Sequence, residues 1–168
     1  MRASRVVPMF LAAIAFPWVA SAQTGNASGG GGHCGAKGSC KVTIDVARGA
    51  SCTVESSIDV RPDSVEMGRG ERRTVVWKLT APGYEFCPAN GDGIQFKDVG
   101  QDFQFYDPRA TDDDDGDDDA SAPARCRKSF RWKNKNEAHT WGKRYAYVIR
   151  FTGPNGAVCV KDPWVRNG

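Results

Sequence analysis

The heptapeptide YAYVIRF at residues 145–151 carries the clearest structural signal in this sequence. Large apolar side chains occupy every second position from Tyr145 to Phe151. Successive side chains of a β-strand point to opposite sides of the sheet, so this alternation predicts a strand with one side in a hydrophobic core. Residues 153–156, Gly-Pro-Asn-Gly, then supply the Asn-Gly pair that is typical of a hairpin turn. The chain is therefore expected to turn back into a further strand at 158–160.

Similar short alternating segments begin at Lys41 and recur along the chain, separated by turn-forming residues such as 61–64, 68–70 and 81–83. One of them is predicted over 52–60. No segment shows the sustained apolar period of a helix. About eight or nine short strands at this spacing predict an all-β fold, an antiparallel β-sandwich, with a barrel as the alternative. The side chains predicted to form its core include Val54, Ile58, Trp77, Phe96, Phe130, Tyr147 and Ile149.

Residues 1–22 have the build of a secretory signal peptide. Arg2 and Arg5 precede an almost wholly apolar stretch at 6–19, and the small residues Ala-Ser-Ala at 20–22 form a cleavage site. A membrane-spanning helix needs roughly 20 apolar residues, whereas this stretch is shorter and contains two prolines. We therefore expect a periplasmic or secreted protein of bacterial type, with no transmembrane segment in the mature chain.

Composition divides the remaining sequence into a tether and one domain. Residues 23–33 are rich in Gly and small polar residues, which predicts a flexible tether. Residues 34–168 are expected to form a single β-sandwich domain, with an acidic insert at 111–124. The formal net charge is +3, and loss of Arg2 and Arg5 would bring it to +1. Net charge alone therefore indicates no class of partner.

Six cysteines lie in the predicted domain, and an even number in an exported chain favours three disulfides because the periplasm and the exterior are oxidising. The alternatives are two disulfides with a free pair, or metal ligation near His33. We predict that Cys87 pairs with Cys126, because both flank the acidic insert, and that the other four cysteines pair among themselves. The candidates are Cys34, Cys40, Cys52, Cys87, Cys126 and Cys159.

The acidic insert contains seven aspartates in eight residues. Self-repulsion predicts a disordered, solvated loop. The alternative is a calcium site, since Ca²⁺ binds 6–8 oxygen ligands. If Gly116 is aligned with the glycine of an EF-hand loop, Thr111 and Ala122 take ligand positions that neither fills well. The candidate calcium ligands are Asp112, Asp113, Asp114, Asp115, Asp117, Asp118 and Asp119.

A basic stretch with interleaved aromatic residues follows the insert. Arg127, Arg131, Trp132 and Lys133 are its candidate binding residues, because basic and aromatic side chains together form surfaces for anionic ligands, cell-surface polymers or nucleic acid. The structural alternative is a strand whose outward side carries the charges and whose inward side carries Phe130 and Trp132. Export makes nucleic acid the least expected partner.

Catalytic motifs are nearly absent from the sequence. The chain has two histidines, His33 on the predicted tether and His139. A hydroxyl from Ser129 or Thr140 could pair with His139, but the Gly-x-Ser-x-Gly motif of a hydrolase nucleophile does not occur. Metalloprotease and phosphate-loop motifs do not occur either. We expect no enzymatic activity and no cofactor.

The stretch from Ile58 to Leu79 resembles the early strands of cupredoxin-type sandwiches, with Val-Arg-Pro, a strand, Gly-Arg-Gly-Glu, and a strand that contains Val-Trp77. Residues 145–149 are similar to the penultimate strand of that fold. The chain is also similar to exported bacterial β-sandwich proteins without assigned activity, which end on a Cys159-x-x-Asp162-Pro163 segment. Blue-copper sites need two His, a Cys and an axial Met, and this sequence lacks that arrangement. The resemblance therefore implies a cupredoxin-like fold without copper, and an immunoglobulin-like sandwich is the other expectation.

Together these observations predict a non-catalytic exported module that binds a protein or a surface polymer at the cell envelope. A calcium-binding protein that uses the aspartates is the alternative. A secreted hydrolase or inhibitor is the second alternative, and it would require His139 to lie in a cleft with a hydrogen-bonded partner.

Overall fold

The computed structural model describes residues 32–33, 39–68, 73–97, 99–112 and 125–167. These residues form eleven β-strands and four short 3-10 helices. The strands are β1 Gly32–His33, β2 Ser39–Val46, β3 Ile58–Arg61, β4 Ser64–Met67, β5 Arg73–Leu79, β6 Gly93–Phe96, β7 Phe105–Thr111, β8 Ser129–Asn134, β9 Arg144–Thr152, β10 Val158–Lys161 and β11 Trp164–Asn167. The 3-10 helices are Glu55–Ser57, Pro88–Asn90, Ala138–Thr140 and Pro154–Gly156.

The strands assemble into two sheets. The six-stranded sheet has the order β1-β4-β11-β9-β10, with β6 paired to β9, and the five-stranded sheet has the order β3-β2-β5-β8-β7. The expected all-β sandwich is confirmed, but purely antiparallel pairing was wrong, because β2 pairs with β5 and β4 pairs with both β1 and β11 in parallel. In the described part of the chain, no helix has the length and apolarity needed to cross a membrane.

The core lies between the sheets, where Trp77 of β5 meets Tyr147 of β9. Both side chains are fully buried, and their ring centroids lie 5.4 Å apart in an edge-to-face arrangement. The Trp77 Nε1–H donates a hydrogen bond to the Tyr147 hydroxyl at 3.1 Å. Burial raises the pKa of Tyr147, so its phenol stays neutral. This contact joins β5 of one sheet to β9 of the other. Its hydrogen bond gives the buried indole N–H of Trp77 an acceptor and the buried hydroxyl of Tyr147 a donor.

Two sequence predictions about β9 are confirmed. Its buried positions alternate from Tyr145 to Phe151. The chain then turns back, and β10 pairs with β9 antiparallel from Val158 opposite Thr152. Asn155 and Gly156 both have positive φ angles in this turn, at 60° and 76°. Asn and Gly tolerate that conformation better than other residues, which explains why they mark the turn.

Five of the seven side chains predicted to form the core are buried, one is partly buried and one is exposed. The position that was wrong is Val54, whose side chain is 55% exposed. Residues 52–57 form a turn and a 3-10 helix instead of the expected strand. The Ser57 hydroxyl donates to the carbonyls of Ser51 and Val54, and such local hydrogen bonds compete with sheet pairing. Phe96 is partly buried against the core. The residues found buried as predicted are Ile58, Trp77, Phe130, Tyr147 and Ile149.

The predicted tether extends two residues too far. Gly32 and His33 form β1, which pairs in parallel with Val65 and Glu66 of β4. The rest of the tether and the signal peptide lie outside the described residues. So do most of the acidic insert and Cys34.

The disulfide prediction is confirmed for one pair, since Cys87 is bonded to Cys126. Cys52 is bonded to Cys159, and this bond joins the segment after β2 to β10. Cys40 is also disulfide-bonded. The described residues contain one cluster with metal-ligand spacing, Glu85 with Cys87 and Cys126. Both of its sulfurs are in the disulfide, so they cannot bind a metal as thiolates.

Gly93, the first residue of β6, is required by its surroundings. Its φ angle is 145°, and a Cβ added there would lie 2.6 Å from Cε2 of Phe130. We expect Gly93→Ala to lower the free energy of unfolding by about 3 kcal/mol, because it combines overpacking with backbone strain. Urea denaturation of the oxidised protein measures this loss.

Gly91 provides the matched control for this substitution. It also has a positive φ angle, 75°, but a Cβ there would meet nothing within 4 Å. Gly91→Ala should therefore cost only about 1 kcal/mol, the cost of the left-handed conformation. Equal losses for the two variants would contradict the packing argument.

Candidate functional site

The outward side of the five-stranded sheet carries rows of basic side chains. In the central row, Val76 of β5 is paired with Lys41 of β2 on one side and with Arg131 of β8 on the other. Arg131 is in turn paired with Arg109 of β7. Directly paired residues share one side of a sheet. This row therefore places three basic side chains across four strands.

The neighbouring rows extend the pattern. Lys78 of β5 is paired with Ser129 of β8, and Lys133 of β8 is paired with Tyr106 of β7. Arg127 precedes β8 by two residues and ion-pairs with Asp112, which directly follows β7. We call this surface the basic face, and its cations are Lys41, Lys78, Arg109, Arg127, Arg131 and Lys133.

Asp107 holds two of these cations in place. Its carboxylate accepts a hydrogen bond from Nε of Arg109 at 3.2 Å, and Nζ of Lys133 lies 2.8 Å from it. Partial burial raises the pKa of Asp107, but the hydrogen bonds from Lys133 and Arg109 outweigh this effect and lower the pKa below its usual value. The carboxylate is therefore ionised at neutral pH and orders both side chains.

The backbone of Asp107 fits this role. Its φ angle is 57°, which non-glycine residues seldom adopt. The pairing of β7 with β8 shifts its register between Tyr106 and Arg109, and Asp107 lies within this shift. A β-bulge re-aims side chains in this way. The bulge allows both Asp107 and Arg109 to reach the outward side of the sheet.

Three of the four predicted binding residues lie on the basic face, namely Arg127, Arg131 and Lys133. Trp132 does not, because it lies on the opposite side of β8, half-buried, with its Nε1–H donating to the carbonyl of Ile94 at 2.9 Å. The structural alternative for this strand, charges outward with Phe130 and Trp132 inward, is thus confirmed. Lys41, Lys78 and Arg109 were not predicted as binding residues, because their only signal in the sequence is an outward position in a strand.

The predicted calcium ligands cannot be assembled into a site from the described residues. Asp112 is the only one of them that the structure describes, and it is exposed and ion-paired with Arg127. Asp113, Asp114, Asp115, Asp117, Asp118 and Asp119 lie outside the described residues.

His139 lies in the 3-10 helix Ala138–Thr140, and its side chain is 57% exposed. Its ring nitrogens are 3.8 Å from Oδ1 of Asp102 and 3.9 Å from Oε2 of Glu137, beyond hydrogen-bond distance. The Thr140 hydroxyl donates to the carbonyl of Glu137 and is buried. Ser129 is also buried. Within the described ranges, no Ser or Thr hydroxyl bonds to His139, so the nucleophile–base pair that a hydrolase would need is not assembled there.

A small pocket lies beside this histidine. It has a volume of about 270 Å³ and is lined by residues 100–103 and 143–145. The Nζ of Lys143 lies 2.8 Å from Asp102 at its edge. The hydrogen bond from Lys143 lowers the pKa of Asp102. The pocket is smaller than most ligand sites, and its charged lining consists of this ion pair and Arg144, whose guanidinium lies over the ring of Trp164. The basic face is therefore the stronger candidate for a binding site.

Comparison with known proteins does not identify a family. No protein-family model matches this chain, and no curated protein is similar to it. The assignment of function therefore depends on the geometry of the basic face.

Proposed function

We propose that this chain is an exported, non-catalytic module that binds an anionic polymer of the cell envelope on the basic face. The observation that carries the proposal is the row of Lys41, Arg131 and Arg109 across four strands, with Lys78 and Lys133 in the rows beside it. The polymer would carry carboxylate or phosphate groups at regular intervals along its chain.

The arrangement of the cations favours a polymer over a small ligand. Neighbouring strands lie about 4.8 Å apart, and outward residues along one strand lie about 7 Å apart. The basic face thus spaces its charges several ångströms apart across the sheet, with Lys41 and Lys78 exposed, Lys133 half-buried and Arg131 buried beneath them. A small anion would meet one or two of them, whereas a chain with repeated anionic groups would meet most of them. Each exposed contact is weak, so useful affinity requires several together.

An exposed aromatic ring lies within the same surface. Tyr106 is 37% exposed and is paired with Lys133. Tyrosine offers an apolar ring together with a polar hydroxyl, which suits contact with a sugar ring. This supports an anionic polysaccharide as the polymer.

Export is also part of the proposal. The signal-peptide pattern of residues 1–22 and the two disulfides among the described residues both support an oxidising compartment. Nucleic acid is scarce outside the cytoplasm, which favours an envelope polymer as the partner.

The test uses the oxidised protein from residue 23 onward and polygalacturonate, with neutral dextran as the reference polymer. We expect the double variant Lys41→Gln/Lys78→Gln to bind polygalacturonate roughly 30-fold more weakly, from about 1 kcal/mol for each cation. The slope of log affinity against log salt should fall by about 2. Fluorescence or calorimetric titration at several salt concentrations measures both quantities.

The matched control removes the same charge elsewhere. Lys97 and Lys161 lie outside the basic face and pair with Asp162 and Glu55. Lys97→Gln/Lys161→Gln should change the affinity by less than about threefold, the effect of net charge screened by salt. The proposal fails if this control loses as much affinity, or if dextran binds as tightly as polygalacturonate.

A further inference from the structure

The disulfide between Cys87 and Cys126 lies beside an exposed carboxylate. The Sγ atoms of both cysteines and a carboxylate oxygen of Glu85 lie within 4.8 Å of one another. Glu85 and Cys126 are exposed, whereas Cys87 is buried. In the oxidised protein the two sulfurs are bonded to each other. Reduction of this bond would turn the same three side chains into a group of metal ligands.

Backbone hydrogen bonds hold the two cysteines opposite each other independently of the disulfide. Phe86 and Arg127 exchange two N–H···O bonds of 2.8 Å and thus form a directly paired position of two antiparallel segments. Each of them lies next to one of the cysteines in the sequence. This register places Cys87 opposite Cys126, with Cα atoms 4.1 Å apart. The pairing does not require the S–S bond, so it is expected to remain after reduction.

The segment that carries Glu85 and Cys87 is also attached to the rest of the sandwich. Glu85 exchanges two backbone bonds of 2.9 Å with Thr152, the last residue of β9. The backbone N–H of Cys87 donates to Oδ2 of Asp92 at 3.1 Å, and the Thr152 hydroxyl donates to the same oxygen at 2.6 Å. Phe86, between the two ligands, is fully buried in the core. These contacts fix the positions of both residues in the absence of the cross-link.

The carboxylate of Glu85 is available as a third ligand. Glu85 and Cys87 are two positions apart, so in an extended segment their side chains share one side. Lys128 follows the facing segment, but its ammonium group donates to the carbonyls of Ala81 and Tyr84, at 3.3 and 2.7 Å. Within the described ranges, no cation forms a salt bridge with Glu85.

Two thiolates and a carboxylate form a ligand set for zinc. Zn²⁺ binds cysteine sulfur at about 2.3 Å and carboxylate oxygen at about 2.0–2.2 Å in tetrahedral geometry, and sites with three protein ligands take water as the fourth. Two sulfurs on one such ion lie about 3.8 Å apart. The sulfurs of Cys87 and Cys126 therefore need only to rotate apart after reduction. The hard carboxylate oxygen favours Zn²⁺ over copper(I), which prefers sulfur ligands.

We propose that Glu85, Cys87 and Cys126 bind Zn²⁺ when a dithiol reduces the disulfide. In this exchange the S–S bond breaks, the dithiol supplies two electrons and two protons, and it closes into a disulfide itself. Zinc then binds the two sulfurs as thiolates and displaces both protons. The site thus has two alternative states, a cross-link in oxidising surroundings and a zinc site after reduction. The proposal does not depend on polymer binding by the basic face.

Selective reduction is the first part of the test. A thiolate must reach a sulfur to open a disulfide, and Cys126 is exposed, whereas Cys52 and Cys159 are 2% and 0% exposed. Limited treatment with dithiothreitol, followed by alkylation and peptide mapping, should therefore label Cys87 and Cys126 before Cys52 and Cys159. Labelling in the opposite order would overturn the switch between the two states.

Metal binding is the second part. The chain from residue 23 onward is reduced in this way, freed of dithiol without oxygen and titrated with Co²⁺, a spectroscopic substitute for zinc. We expect a thiolate-to-cobalt charge-transfer band that Zn²⁺ abolishes, and a melting temperature of the reduced chain that Zn²⁺ raises. Oxidised protein should show neither effect. The variant Cys87→Ser/Cys126→Ser, which lacks the cross-link as the reduced protein does, should give no band.

Glu85→Gln tests the third ligand. Loss of groups that merely support metal ligands costs 10–100-fold in affinity, so loss of a ligand should weaken zinc binding at least about tenfold. Glu55→Gln is the matched control, because Glu55 is also exposed and lies three positions after Cys52 of the other disulfide. It should change the affinity by less than about twofold.

The outcomes separate the parts of the proposal. Equal affinities of Glu85→Gln and Glu55→Gln would overturn the role of Glu85. The zinc site itself is overturned by a reduced wild-type chain that gives no band, by a double serine variant that gives the wild-type band, or by a melting temperature that Zn²⁺ leaves unchanged. Circular dichroism of the reduced chain should retain the β-sheet spectrum, and its loss would contradict the preformed site.

Discussion

Removal of the disulfide between Cys52 and Cys159 is expected to lower the free energy of unfolding by about 5 kcal/mol. This bond closes a loop with a sequence separation of 107 residues. A cross-link restricts the unfolded chain, and in the chain-entropy model the effect grows with the logarithm of loop length, to about 5 kcal/mol for a loop of this size. Both cysteines are buried, so Cys52→Ala/Cys159→Ala also removes packed sulfur atoms. Urea denaturation at neutral pH measures the loss.

The second disulfide provides the comparison. Cys87 and Cys126 have a sequence separation of 39 residues, so Cys87→Ala/Cys126→Ala should cost about 4 kcal/mol. The longer loop should thus carry the larger loss by roughly 1 kcal/mol. A reversed order would show that native packing around Cys87, and not restriction of the unfolded chain, dominates. Each bond forms only where thiols can be oxidised, so both expected losses refer to the oxidised protein.

The parts of the fold that could be predicted are those with local signals. Residues 145–151 alternate strictly, and the Asn155-Gly156 turn follows at once, so one strand and its hairpin could be read from adjacent residues. Val54 shares the parity of Ile58 but lies in a serine-containing turn, where side-chain hydrogen bonds to the backbone prevail over alternation.

The parallel pairings could not be predicted in this way. β2 pairs with β5 and β4 pairs with β11, and in each case the partners are separated by other strands in the sequence. Alternation determines which side of a strand is apolar and carries no information about which other strand lies beside it. The mixed sheets therefore follow from packing across the whole core.

The same reasoning explains what was found and missed at the candidate site. Arg127, Arg131 and Lys133 stand close together in the sequence, so their density alone indicated a basic surface. Lys41 and Lys78 come from strands far away in the sequence, and only the register of β2, β5 and β8 brings them to that surface. Trp132 was assigned to the surface because composition does not separate the two sides of a strand.

The basic face also has a cost for stability that a purely structural sheet would not require. Arg109 lies directly opposite Arg131, and like charges in such a pair are destabilising. Asp107 offsets part of this repulsion by binding Arg109 and Lys133, and it does so from a left-handed backbone conformation. Asp107 thus fixes the positions of two cations of the basic face from a backbone conformation that non-glycine residues seldom adopt.

Replacement of Trp77 by alanine is expected to lower the free energy of unfolding by about 4 kcal/mol, because it removes the largest fully buried side chain among the described residues and leaves a cavity between the sheets. It also leaves the Tyr147 hydroxyl without its hydrogen-bond donor. The melting temperature should fall by roughly 10 °C. Urea denaturation and calorimetry of the oxidised protein measure the two effects.

Two further variants test whether the core is centred on this contact. Tyr147→Phe keeps the ring but buries the Trp77 Nε1–H without an acceptor, so it should cost about 2 kcal/mol. Trp132→Ala removes a half-buried indole from the same sheet and should cost clearly less than Trp77→Ala, since partial burial leaves less apolar area to lose. If the loss at Trp132 equalled the loss at Trp77, the packing between β5 and β9 would not be the main stabilising contact of the sandwich.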